Sequence, residues 1–207
     1  MNLRERQKYA TLNAIKDTAR EIFSSRQYES ISVDEIAKSS GVSRGTIYKH
    51  FRSKLEIVMS IVEDDLERHR SAYALLANLD DVCFNSVRSW FEDFVEKTKS
   101  SNKFLATYFR SHNDGFPLIV GHRNKVIEIL GRKFEGFRVG RYGVQHVEQC
   151  RAQCFMMLFL IETGAITYAI ETDQVDRNIG MDLTAEALVG FLKMGELYLP
   201  GTPVSRC

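Results

Sequence analysis

Three serines between residues 32 and 58 constrain the fold of this chain more tightly than any other feature. In "SVDEIAKSSGVSRGTIYKHFRSKLEIV", Ser32, Ser43 and Ser53 each stand directly before a helix-forming run. A serine hydroxyl in that place accepts a hydrogen bond from a backbone amide that a helix start leaves unpaired. Ser32 with Glu35, and Ser53 with Glu56, have the spacing of a capping box, in which the carboxylate satisfies a second amide. Val42, just ahead of Ser43, is placed to staple against Ile47, and Gly41 gives the freedom a tight turn needs. So little chain separates the first two caps that only a short helix fits between them. The stretch therefore reads as a helix, a turn and a helix, followed by the start of a longer one.

The rest of the chain gives no competing signal for strands. Prolines stand only at 117, 200 and 203, and no alternating apolar run bounded by turn residues suggests a hairpin or a βαβ unit. The expected fold is all-α. A first helix spans about Leu3 to Ser25, with Ala10, Ala14, Ile15, Ala19, Ile22 and Phe23 as its apolar stripe. Longer helices are expected over about Lys54 to Leu79, Val82 to Ser100, Lys103 to Asn113, Pro117 to Phe137, Gln145 to Glu171 and Leu183 to Leu199. The first sixty residues hold 11 Lys and Arg against 7 Asp and Glu, so their charge is +4 within a total of +1. The basic end is the one that should meet an anion.

With 207 residues, 44% of them apolar, the chain can bury a sizeable core. Its charged N-terminus lacks the apolar stretch of a secretory signal. The most apolar run, "CFMMLFLIETGAITYAI", is broken by Glu162 and reads as too short to cross a bilayer. A cytoplasmic location with no membrane association is expected, and with it four reduced thiols at Cys83, Cys150, Cys154 and Cys207.

On the helix that Ser43 caps, Ile47 and Phe51 stand four residues apart and share the face that must pack inward. Gly45 and Lys49 then point outward, Thr46 and Tyr48 lie on the flanks, and Arg44 sits at the helix start. Such a face suits the major groove of DNA. Gly45 permits close approach, and Arg44 or Lys49 can reach the acceptor edge of guanine. Thr46, Tyr48, His50 and Lys54 are candidates for phosphate contacts, which position a protein on DNA without reading sequence.

Taken together, residues 31–58 resemble the DNA-binding segment of TetR-family transcriptional regulators, with Gly-Val-Ser at the turn, Tyr48 and Phe51 on the recognition helix, and Lys54 opening the next helix. The resemblance covers about residues 10 to 60. It implies that Arg44, Gly45, Thr46, Tyr48, Lys49 and His50 face double-stranded operator DNA and that Lys54 holds a phosphate. Two positions depart from the pattern. Ser40 replaces the usual Ala before the glycine, and the second helix opens with Asp34 and Glu35 where some members place a base-reading Arg, so readout should rest on the third helix.

The resemblance also implies an architecture: a three-helix DNA-binding domain over residues 1–56 and a larger helical effector-binding and dimerisation domain over 57–207. The last two helices, apolar on more than one face and rich in small residues such as Ala187 and Gly190, would pair with those of a second subunit in a homodimer. Aromatic residues concentrate in the middle helices. Trp90, Phe94, Tyr108, Phe109, Phe155 and Phe159, with His112 and Glu162 as polar members, are the candidate pocket for a largely apolar or aromatic small-molecule effector, and Arg110, Asp114 and His122 are further polar neighbours.

The whole then reads as a repressor released from a palindromic operator by that effector. Control by a partner protein, or no effector at all, is the alternative within the same class. A small hydrolase built on His112 and Asp114 is a third reading, and it lacks a nucleophile motif or a phosphate loop. Cys150 and Cys154 share one helical face with His146 a turn earlier, an incomplete metal set. No metal, cofactor or catalytic residue is expected.

Overall fold

A computed structural model describes residues 2–109, 116–169 and 176–194. Among the described residues there are eight α-helices and no strand: α1 (Leu3–Ser25), α2 (Val33–Ser39), α3 (Arg44–His50), α4 (Lys54–Ala77), α5 (Phe84–Phe109), α6 (Phe116–Gly131), α7 (Val147–Ala169) and α8 (Arg177–Met194). The chain divides into two compact units. One takes the chain up to Asp65 and takes it up again from Lys103; the other holds Leu66–Asn102 and the chain from Pro117 onward. Both α4 and α5 thus run from one unit into the other.

In the first unit, Asn2 and Glu5 form a reciprocal capping box that starts α1. The buried face of α1 is Ile15, Lys16, Ala19 and Phe23, whereas Ala10 and Ala14, expected on the stripe, are exposed. Alanine contributes too little apolar area to decide which way a helix turns; the large Ile15 and Phe23 decide it. They pack in the same unit as buried Ile31, Ile36, Ile47, Phe51, Ile57 and Ile61. Two ion pairs tie α1 to α4, Lys16 to Asp64 and Arg20 to the fully buried Asp65 at 2.9 Å.

The second unit is built on aromatic packing. Tyr73, Phe91, Phe94, Phe137 and Phe191 are fully buried, with Val87, Val126, Leu130, Met157, Ile161, Met181 and Leu188 filling between them. The indole N–H of Trp90 donates to the carbonyl of Ala72 at 2.9 Å.

Several expected boundaries shift. The polar stretch Ser100–Ser101–Asn102 does not interrupt α5. Ser101 and Thr98 are buried and the Thr98 hydroxyl returns to the Phe94 carbonyl at 2.6 Å, so the inward stripe of Val87, Phe91, Phe94, Phe104 and Tyr108 carries the helix through. Burial overrides local propensity there. Helix α6 ends at Gly131 and a 3-10 turn, Glu135–Phe137, follows. Helix α8 begins six residues earlier than expected, at Arg177, because the Asp176 carboxylate caps it by accepting from the Ile179 amide at 3.0 Å.

By length and composition alone, Val144–Ala169 is able to cross a bilayer, against the expectation that this run is too short. In the structure a third of its apolar window is buried against the rest of its unit. Cys150 and Cys154 are buried free thiols, and burial pushes the Cys154 thiol upward. Cys83 is disulfide-bonded, which corrects the expectation of four reduced thiols.

Candidate functional site

The hydroxyl of each expected capping serine accepts an amide hydrogen bond. Ser32 receives the Glu35 amide at 3.1 Å, Ser43 that of Thr46 at 3.0 Å, and Ser53 that of Glu56 at 3.1 Å. The carboxylate halves differ from expectation. Glu35 turns to Arg26, and Glu56 accepts from the amide of Arg52, one residue before the cap. Gly41 takes φ +69°, the left-handed conformation a glycine adopts without strain, and its amide and that of Val42 close the end of α2 onto the carbonyls of Lys38 and Ala37. The turn therefore fixes how α3 leaves α2.

Helix α3 presents the face expected of it. Ile47 and, just beyond the helix, Phe51 are buried, while Arg44, Gly45, Tyr48 and Lys49 are exposed and Thr46 and His50 are half-buried at the flanks. A Cβ built on Gly45 meets only the Ser43 hydroxyl, at 3.8 Å, so the fold itself does not need glycine there. A bare backbone on an outward face leaves room for another surface to approach.

Arg44 is not a loose cation. Its Nη1 donates to Asp34 Oδ2 at 3.0 Å and its guanidinium lies 5.5 Å from the centre of the Tyr48 ring. Lys54 is also engaged: its ammonium donates to the carbonyls of Tyr28 and Ile31 at 2.7 and 2.8 Å and sits 4.0 Å from the Tyr28 ring centre. Partial burial lowers its pKa. Two of its three N–H groups are thus spent on closing the loop before α2, a structural role that its sequence position alone does not announce.

Residues 15–61 match the family described as bacterial regulatory proteins, tetR family. Residues 15–61 carry a TetR-family helix-turn-helix. Over 58 residues it is 43% identical to the HTH-type transcriptional regulator UidR of Escherichia coli (strain K12), a match covering 28% of this chain and 30% of that protein. Over 101 residues it is 34% identical to an HTH-type transcriptional regulator of Staphylococcus aureus (strain USA300), covering 48% and 54%. The chain thus spans about a third to a half of the length of these relatives. The fold is similar to that of NalD of Pseudomonas aeruginosa, described as the secondary repressor of the MexAB-OprM multidrug efflux pump: TM-score 0.54, 18% identity, 91% of this chain and 98% of that one. The relatives are named as transcriptional regulators, not as enzymes. The match lies on the helix-turn-helix, the segment described above.

The residues expected to line an effector pocket are found, where described, in three places. Trp90 and Phe94 are core residues of the second unit. Tyr108 belongs to the first unit, where it stacks with Phe104 at 6.2 Å and meets Tyr28 edge-on. The side chain of Phe109 and the whole of Arg110, His112 and Asp114 lie outside the described residues. Phe155 and Phe159 line an open groove of about 660 Å³ on α7, with Arg123, Met156, Leu160 and Tyr168. Helical periodicity gives each residue's angle on its own helix but not which neighbour covers it.

Beside Trp90 and Phe94 the structure does assemble a polar cluster. His69 and His122 stand 6.0 Å apart between ring centres, with Tyr73 6.3 Å from His122 and Phe94 5.5 Å from His69. Arg123 grips one oxygen of Glu162, its Nε at 3.0 Å, and leaves the other oxygen 3.8 Å from His122 Nε2. His69 Nε2, the Tyr73 hydroxyl, both ring nitrogens of His122 and Glu162 Oε1 are buried without a hydrogen-bond partner of good geometry among the described residues, and the Leu66 carbonyl is the one backbone group that acts on the His122 ring. Burial holds both imidazoles neutral, lowering His69 to about 4, helped by Arg68, and His122 to about 3, helped by His69, Arg70 and Arg123. Burial also raises Glu162 and Tyr73.

His122 and Glu162 were visible in the sequence as polar residues among aromatic helices; His69 and Tyr73 were missed. Their signal was the spacing of Leu66, His69, Tyr73 and Leu76, one inward stripe of α4 that a histidine and a tyrosine interrupt.

Proposed function

We propose that this chain is a homodimeric repressor that leaves a palindromic operator when a small molecule occupies the core of its second unit. The observation that carries the effector reading is the cluster of unpaired buried polar atoms on His69, Tyr73, His122 and Glu162. A buried donor or acceptor without a partner costs about 1 to 3 kcal/mol, and a ligand that supplies the missing partners recovers that cost on binding. Two neutral imidazoles and a phenol donate or accept alike, and the Arg123–Glu162 pair sums to zero. The fitting effector is therefore an aromatic or otherwise apolar molecule carrying an uncharged hydroxyl or carbonyl end.

Arg44, Gly45, Thr46, Tyr48, Lys49 and His50 form the DNA face in this reading, with Arg44 reading guanine. Lys54 retains one N–H for a phosphate. Helix α4 begins at Lys54 and carries His69 and Tyr73 farther along, so a ligand that shifts α4 alters how two recognition helices are spaced. Moving that equilibrium from one form to the other requires a preference of about 10⁴-fold. The repressor sense draws on NalD, and cytoplasmic placement on the regulatory role.

Calorimetry with a panel of uncharged phenols and aryl ketones, with and without operator, tests the switch. The bound compound should lose affinity in the presence of operator by about 5- to 150-fold, the same factor by which it weakens DNA binding. Equal affinity in both titrations would leave a DNA binder without this control.

The dimer reading rests on apolar residues left exposed on the two last helices: Met156 is 60% and Phe159 58% exposed on α7, Ile179 61% and Leu183 45% on α8. A second copy of the same pair covers them as a four-helix bundle. Leu183→Glu places a charge in that contact and should halve the mass seen by sedimentation. It should also weaken operator binding by about 10² to 10⁴, because simultaneous grip on two half-sites is lost. A variant that keeps the wild-type mass would sink the assignment of this face.

A further inference from the structure

We propose that Asp34 is a positioning residue for base readout, holding the Arg44 guanidinium by one N–H so that its remaining edge is presented to guanine. The proposal rests on Arg44 as the base reader, a part of the function proposed above. Asp34 is on α2 and Arg44 opens α3, so the 3.0 Å bond between them spans the turn; both side chains are about three-fifths exposed, 62% and 60%. The Tyr48 ring lies against the guanidinium at 5.5 Å. Asp34 takes only Nη1, and Tyr48 engages the guanidinium as a second holder. Nε and Nη2, which Asp34 does not take, form a parallel fork, the geometry that meets O6 and N7 of guanine once DNA displaces the Tyr48 contact.

A carboxylate on a surface that approaches DNA opposes phosphate binding. Its favourable contribution must therefore come through Arg44. A free arginine has many rotamers and lies down on whichever phosphate is nearest; one held by a carboxylate and a ring has lost that freedom before it binds. The acid thus trades general affinity for discrimination. This signature separates a positioning role from a structural one: removing the charge should tighten non-specific binding while loosening specificity, whereas damage to the fold weakens both.

The probe is the duplex selected by the wild-type protein from random DNA, together with its variant changed at the guanine whose replacement costs most, and an unrelated duplex. Asp34→Asn should bind the unrelated duplex more tightly, steepen its salt dependence by about one unit, and reduce the preference for guanine about tenfold. Asp34→Glu, which keeps the charge, should restore most of the preference. Arg44→Ala should abolish the preference, and adding Asp34→Asn to it should change that preference no further. If Arg44→Ala leaves the guanine preference intact, Arg44 is not the reader and that part of the proposed function fails. If Arg44→Ala removes the preference while Asp34→Asn preserves it, or weakens all three duplexes alike, the positioning role alone is overturned.

Discussion

Gly136→Ala should cost at least ~3 kcal/mol of stability and lower the melting temperature by about 6 to 12 °C. Gly136 lies in the buried 3-10 turn between α6 and α7. A Cβ added there would stand 1.7 Å from the carbonyl oxygen of Phe191 and 2.6 Å from its carbon. Those are backbone atoms in the last turn of α8, so no rotamer change relieves the clash; the turn and the helix must part. With them goes the edge-to-face contact of Phe137 and Phe191 at 5.0 Å, and the bond from Arg141 to the Gly136 carbonyl at 2.8 Å. Because α8 also carries the proposed dimer face, operator affinity should fall with stability. Gly121→Ala supplies the control. A Cβ at Gly121, inside α6, meets nothing within 4 Å, and there the better helix former should add about 0.8 to 1 kcal/mol. Equal melting temperatures for Gly136→Ala and wild type would mean that α8 does not lie against this turn.

The helix-turn-helix was legible because its information is local. A capping hydroxyl, a left-handed glycine and a pair of inward residues four apart all act within a dozen residues, and Ser43, Gly41, Ile47 and Phe51 do what their spacing implies. The engagement of Arg44 and Lys54 was not legible. The partner of Arg44 is ten residues away, and the carbonyls that hold Lys54 are more than twenty away, joined to it only when the turns close. In the second unit the same difference decides more. That α5 continues through Ser100–Asn102 depends on what Ser101 and Thr98 are buried against, and Trp90 proved to be a satisfied core residue because Ala72 offers it a carbonyl. Aromatic density identified the unit that holds the polar cluster, while the residues that make it polar, His69 and Tyr73, sat unremarked in an inward stripe.

Acid should destabilise the second unit earlier than its carboxylates require. His69 and His122 titrate in the unfolded chain near 6.5, as free imidazoles do, and in the folded chain at about 4 and about 3. Between those values the unfolded state binds protons that the folded state refuses, so stability present above about pH 6.5 is lost as pH falls toward the folded values. Each imidazole contributes a slope of about 1.4 kcal/mol per pH unit across that window. Two together remove several kcal/mol by pH 4.5, a large part of the ~5 to 15 kcal/mol by which domains are stable. The groups that face the pair set the sign. Arg68, Arg70 and Arg123 oppose a second positive charge, the Leu66 carbonyl favours it, and burial, the largest cause, disfavours it. Glu162 acts in the opposite direction, since burial raises its own pKa and lets the folded state take up a proton in acid. Denaturant unfolding of wild type from pH 7.5 to 4.5, beside the double variant His69→Gln/His122→Gln, separates these contributions. The wild-type curve should fall steeply below pH 6.5 and the variant curve should stay nearly flat until carboxylates titrate. Parallel curves would show that the two histidines are not held neutral by the fold, and the polar cluster would lose the uncharged character on which the proposed effector chemistry depends.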